Sequence, residues 1–202
     1  MGPSRPEDRL PVGLRERKKV KTRAAIQHEA LRLFRLQGYA GTTVEQIADA
    51  AEISPSTLFR YFASKEDLVL TDDYDPLIIE ACRAQPAGLG PVEAVRRGLR
   101  AVFEAMDDQD RADMRDRAEL ALAVPDLRAA MLDQFAQVIH ELTDVVAERA
   151  GYSSGDFAVA ILAGAILGVM ISVEFYWVEH PGTDLVALID EGLANLGRGL
   201  AL

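Results

Sequence analysis

Between Thr43 and Lys65 the chain gathers side chains suited to one kind of chemistry, recognition of a polyanion that presents hydrogen-bonding edges. Arg60 carries a planar guanidinium that can pair bidentately with guanine, and Ser56 and Thr57 carry hydroxyls suited to base edges. Thr43, Ser54 and Tyr61 offer neutral donors for phosphate oxygens, and Lys65 offers a charge at a helix start. Pro55 sits in their midst. Upstream, Arg15, Arg17, Lys18, Lys19, Lys21 and Arg23 stand against Glu16 alone. Such a run draws phosphates by Coulomb attraction and by release of condensed counterions, and Lys18 and Lys19 are its candidate contacts.

These residues need a scaffold, and the local sequence supplies three helix starts. Thr43-Val44-Glu45-Gln46 is a capping box, so a helix is predicted from Val44, with Ile47 and Ala51 on one face. Ser54 as N-cap and Pro55 at the first helical position open a second helix, running to roughly Phe62 with Leu58 and Phe62 inward. Ser56, Thr57, Phe59, Arg60 and Ala63 are left partly or wholly outward. Ser64-Lys65-Glu66-Asp67 is a third start, opening a longer helix. Two short helices joined by so tight a turn form a helix-turn-helix, whose second helix is free to enter a major groove.

The stretch TTVEQIADAAEISPSTLFRYFASKEDL, Thr42 to Leu68, resembles the signature of the TetR family of transcriptional regulators. The resemblance implies a DNA-binding regulator that acts as a homodimer on a palindromic operator, and a repressor that lets go when a small molecule binds its larger domain. Three residues depart from the family pattern. Glu52 occupies a turn position where Gly is usual, so that either it accepts a left-handed backbone at a cost of ~1 kcal/mol or the turn differs. Ser56 stands where Gly is frequent, and Phe59 replaces a frequent Tyr and lacks its phosphate-binding hydroxyl.

A net charge of -10 is at odds with DNA until it is divided along the chain. Residues 1–70 hold 12 Lys and Arg against 9 Asp and Glu, whereas residues 71–202 hold 10 against 23. The acidic remainder keeps the rest of the molecule off the duplex. The single cysteine, Cys82, forms no internal disulfide and reads as a small buried hydrophobe, in keeping with a cytoplasmic protein. No secretory signal is visible, because Met1 to Pro11 is polar and Pro-rich.

The chain is predicted to be all-α. Residues 1–14 form an arm expected to be disordered, 15–64 a three-helix helix-turn-helix DNA-binding domain, and 65–202 a larger helical domain for effector binding and dimerisation. In the first helix Ile26, Ala30 and Phe34 mark the inner face and Gly38 the end, while His28 reads as a surface residue. Beyond Leu70 a helix is predicted toward Ala84, then helices over 92–106, 111–123 and 126–150, with a loop at 85–91. No stretch alternates like a strand.

Phe157 to Val173 is free of charge and contains Gly164-x-x-x-Gly168, a spacing known from tightly crossing membrane helices. Seventeen residues bracketed by Asp156 and Glu174, without flanking Lys or Arg, favour a buried helix over a membrane span. A helix apolar all round needs cover on every side. The last helix, with Thr183 as predicted cap, carries Leu185, Leu188, Ile189, Leu193 and Leu196. Gly164, Gly168, Leu185, Ile189, Leu193 and Leu196 are therefore the candidate dimer interface, two helices from each of two chains.

Phe103, Met106, Phe135, Met170 and Trp177 supply apolar surface for an effector, with Arg117, His140 and Glu174 as polar candidates. Glu174 ends so apolar a run that it needs a partner such as Arg117 or a ligand amine. His140 reads as a core histidine or a buried ligand contact. Asp73-Tyr74-Asp75-Pro76-Leu77 and Pro125-Asp126-Leu127-Arg128 resemble a TetR branch associated with acyl-CoA or other lipophilic ligands. No enzyme is expected. Gly151-Tyr152-Ser153-Ser154-Gly155 matches a hydrolase nucleophile elbow in form, but a helix precedes it where that motif needs a strand. His140 and His180 lack metal-ligand spacing, and no cofactor or metal is expected. Two other readings stay open, a helical small-molecule binder that does not bind DNA and a helical protein-interaction adaptor.

Overall fold

A computed structural model describes residues 14–71 and 74–199, with side chains at 19 and from 21 onward. The expected arm (1–14) and the Lys18 side chain lie outside what is described, save the backbone of the helix that begins at Leu14. The described residues form helices and no strand. In chain order these are α1 (Leu14–Gln37), α2 (Val44–Ala50), α3 (Pro55–Leu58), α4 (Asp67–Leu70), α5 (Asp75–Arg83), α6 (Pro91–Glu104), α7 (Asp108–Ala123), α8 (Pro125–Ala150), α9 (Phe157–Glu179) and α10 (Leu185–Gly197).

Two compact units result, and they do not follow chain order. The first is the chain up to Asp73 together with Met106–Met131; the second is Tyr74–Ala105 with Leu132 onward. Helix α7, expected in the larger domain, thus packs with α1 and α4 in the first unit. Arg35 of α1 reaches Asp116 of α7 at 2.7 Å and Asp113 at 3.7 Å, and His28 meets Asp113 at 3.2 Å. Burial raises the Asp116 carboxyl, and the Arg35 charge opposes that rise.

Within the first unit each helix start is satisfied locally. The Thr43 hydroxyl accepts from the Gln46 amide while the Gln46 side chain accepts from the Thr43 amide, closing the capping box. Gly38, at φ +79°, ends α1 with its amide on the Phe34 carbonyl. Glu52, at φ +55°, is the only non-glycine residue with positive φ among those described, the left-handed one of the two alternatives for this turn. The third start is realised by Ser64 accepting from the Asp67 amide and Asp67 accepting from Ala63 and Ser64. Its helix is shorter than predicted: the backbone turns extended at Thr71, ψ 128°, so one expected helix becomes α4 and α5.

The second unit is held by close helix approaches, but not at the glycines singled out by spacing. A Cβ on Gly98 of α6 would lie 2.6 Å from Cys82 Sγ and 2.7 Å from its amide nitrogen in α5. One on Gly192 of α10 would meet Val169 of α9 at 2.8 Å. Gly164 has only Ile139 at 4.0 Å, and Gly168 faces open space. Arg149 of α8 gathers the carbonyls of Cys82, Arg83, Gln85 and Pro86, which finish α5 and its loop. Arg96 of α6 pairs with Glu93 at 2.8 Å and with Asp190 of α10. The cap of α10 is Asp184, accepting from Val186 and Ala187, rather than Thr183, whose hydroxyl donates to the His180 carbonyl. Helix α9 is long and apolar enough to cross a bilayer by length and composition, and Ile166 and Ala163 on one face are fully buried in the unit.

Two stability outcomes are expected. Gly98→Ala should lower the unfolding midpoint, losing about 1–3 kcal/mol, because the clash is with backbone as well as with the sulfur. Glu52→Gly should raise it by about 1 kcal/mol by relieving the left-handed turn. Chemical denaturation followed by circular dichroism reads both.

Candidate nucleic-acid interface

Helix α3 has only four residues, PSTL, so its position is set by what anchors it. Ser54 caps it by accepting from the Thr57 amide at 3.1 Å, and Pro55 begins it. Leu58 and Phe62 are buried at 0% and 2% exposure. The predicted run to Phe62 persists as a tightening turn, with Arg60 bonded to Thr57, Tyr61 to Leu58 and Phe62 to Leu58 through their backbones. Burying Leu58 and Phe62 turns Pro55, Ser56, Phe59 and Arg60 outward, and all four are exposed.

Three side chains fix this platform from beneath, and none had been assigned that work. Arg23, part of the basic run, donates to the Tyr61 carbonyl at 2.9 Å and lies over the Phe62 ring at 4.4 Å. Gln27 is buried and donates to the Leu68 and Thr71 carbonyls at 3.1 and 2.9 Å, finishing α4. Lys65, a phosphate candidate from its place at a helix start, is half-buried. Its ammonium donates to the Tyr39 carbonyl and sits 4.2 Å from the Tyr39 ring centroid. Burial pulls the Lys65 amine below its ordinary value, against the neighbouring Glu66 carboxylate. Tyr39 in turn donates to Glu66 at 3.1 Å, and its hydroxyl is raised by burial first and by the Glu66 charge second. No signal in the sequence separated inward from outward cations, because each partner is a backbone carbonyl more than twenty residues away.

The remaining contact candidates divide by exposure. Thr43 and Ser54 are exposed though their hydroxyls already cap helices. Ser54 Oγ lies 2.9 Å from both Ser56 Oγ and Thr57 Oγ1, a cluster of three hydroxyls at the start of α3. Thr57 and Tyr61 are half-buried, and Lys19 is exposed.

The effector candidates fall in both units, with Met106 and Arg117 in the first and the other six in the second. Phe103 and Trp177 are buried core residues, whereas Phe135, Met170, Glu174 and Arg117 are half-buried. His140 is exposed, so neither a core histidine nor a buried contact describes it; the period of α8 puts it outward, between buried Met131 and Leu142. Among the interface candidates, Ile189 and Leu193 are fully buried within their own chain and present nothing to a partner. Leu185 and Leu196 are half-buried. In the Gly151–Gly155 segment, Gly151 ends α8 at φ +71°, Ser153 Oγ accepts from the Gly155 amide and Ser154 donates to Asp144 at 2.8 Å. Both serines serve the turn.

Comparison with known proteins accounts for both halves. Residues 26–71 match the family of bacterial regulatory proteins described as the tetR family, and residues 89–201 match the MftR C-terminal domain. The HTH-type transcriptional regulator TcmR of Streptomyces glaucescens is 36% identical over 188 residues, covering 87% of this chain and 81% of its own. MftR of Mycobacterium tuberculosis, named for the regulation of mycofactocin biosynthesis, is 30% identical over 182 residues, 87% of this chain and 89% of its own. Among solved structures, the FadR repressor of Thermus thermophilus in complex with lauroyl-CoA superposes with a TM-score of 0.57 at 25% identity, over 89% of this chain and 95% of that one. A FadR from Bacillus subtilis with stearoyl-CoA shares the fold, with a TM-score of 0.58 at 18% identity over 88% of this chain and 99% of that one. With a helix-turn-helix whose polar edge is free and a family match on either side of residue 80, the chain belongs to the TetR family and is a DNA-binding transcriptional regulator.

Proposed function

We propose that the protein is a cytoplasmic homodimeric repressor that binds a palindromic operator and releases it when a small lipophilic effector, of the acyl-CoA kind, enters the larger helical domain. The observation that carries the reading is the exposed edge of α3, where Ser56 and Arg60 stand clear of the core. Arg60 and Ser56, with Thr57, read base edges; Thr43, Ser54, Tyr61, Lys18 and Lys19 hold phosphates, with Pro55 fixing the approach. Lys65 contributes through the N–H bonds its contact with Tyr39 leaves over. One such helix makes few base contacts, so a palindrome needs two readers about 34 Å apart.

The second reader comes from a second copy. Helix α9 leaves a stripe in the open, with Phe157 79%, Ile161 55%, Phe175 42% and Tyr176 47% exposed, and Gly164 and Gly168 lie along it. Because Gly168 meets nothing in its own chain, the room there suits the backbone of a partner helix. Covering this stripe in a dimer also answers the exposure of so apolar a helix without a bilayer. The lipophilic effector is supported by the lauroyl-CoA in the Thermus thermophilus relative and by the apolar side chains Phe103, Phe135, Met170 and Trp177, beside which Glu174 is a polar anchor. A ligand favouring one arrangement of the two readers couples to DNA by ~1–3 kcal/mol without touching it.

Gel-shift assays with DNA from beside its own gene, at two salt concentrations, test the reading. Binding should fall steeply with salt, and no retained duplex at low salt would leave a small-molecule binder or an adaptor instead. Arg60→Ala should weaken operator binding by about 1–3 kcal/mol while changing random-duplex binding little; equal losses would assign Arg60 to phosphate. Gly168→Glu should leave the helical content unchanged and convert the dimer to monomer in sedimentation equilibrium, since a charge would be buried at the proposed interface.

A further inference from the structure

Between Val44 and Leu70 one large hydrophobic side chain is exposed, Phe59, at 52%. It caps the C-terminal end of α3, its amide bonded to the Pro55 carbonyl at 3.0 Å. Ser56, Phe59 and Arg60 stand at i, i+3 and i+4, which places the ring on the same edge as the hydroxyl and the guanidinium proposed to read bases. The neighbouring Leu58 and Phe62 are buried in the core, whereas about half of Phe59 stays open.

Phe59 has no donor or acceptor, so it can neither bind a phosphate oxygen nor pair with a base edge. What remains for an apolar ring in a major groove is apolar surface, and the groove offers one such group, the C5-methyl of thymine. We propose that Phe59 is a specificity-determining residue whose ring packs on a thymine C5-methyl in each half-site, beside the base that Arg60 reads. The inference rests on the reading of α3 as the groove-entering helix. It adds a preference that hydrogen bonding alone would not supply, since uracil presents the same donor and acceptor pattern as thymine.

That difference provides the test. The full-length protein selects its operator from a random-sequence duplex pool, and each thymine of the half-site is then replaced by deoxyuridine, symmetrically in both halves. Removing one buried methyl should weaken binding about fourfold per half-site, so about fifteenfold for the symmetric replacement, at one thymine position. Phe59→Ala should bind the thymine operator more weakly and lose the sensitivity to deoxyuridine at that position. The proposal is overturned if the unmodified protein tolerates deoxyuridine at every position, or if Phe59→Ala keeps the full loss. Should the variant bind too weakly to measure, the scan on the unmodified protein decides. Selection of no sequence at all would instead bring down the regulator reading, an outcome distinct from a selected operator indifferent to methyl groups.

Discussion

The molecule depends on holding in place a helix too short to hold itself. Four residues make one turn, and nucleating a turn fixes several dihedral angles for very few hydrogen bonds. Helix α3 exists because Ser54 and Pro55 set its start, Leu58 and Phe62 sink into the core, and Arg23 captures the carbonyl of Tyr61 just past its end. Leu58, Phe62 and Arg23 hold it from the core side, while Ser54 and Pro55 are themselves exposed at its start. The reading surface stays free for the same reason that the helix stays put.

The cations show how that arrangement is reached. A basic protein segment near DNA can spend its charges outward, on phosphate, or inward, on carbonyls at helix ends. Arg23 and Lys65 go inward, each stacking against an aromatic ring that shields it from water. A guanidinium over Phe62 covers apolar surface while it bonds the Tyr61 carbonyl, which suits a half-buried position near a polyanion. Arg60 has no such ring and stays exposed.

The sequence made the local features legible and left the distant ones hidden. Thr43 with Gln46, Ser54 with Thr57, and Ser64 with Asp67 are partners within three residues, so spacing alone identified them. The left-handed Glu52 was one of two conformations that the family resemblance left open. Arg23, Gln27 and Lys65 could not be read, because their partners are set by how α1 lies across the others. Gly164 and Gly168 carried a spacing associated with tight crossings; within the chain the glycines crowded by a neighbouring helix are Gly98 and Gly192. Spacing reports that two glycines share a face, not which neighbour that face meets. The break at Thr71 was hidden for a related reason, since Val69 and Leu77, eight residues apart and both buried, would share a face of one helix as well as of two.

Helix α7 comes from the middle of the chain yet packs on α1 and α4, with Arg35 tied to Asp116. The DNA-reading half is therefore not a detachable cassette. A chimera that joins residues up to the low seventies to the body of another regulator would strip the apolar and acidic cover from α1 and α4. Grafting operator preference from one such protein to another must carry residues 106–131 along, or transplant only the exposed edge of α3.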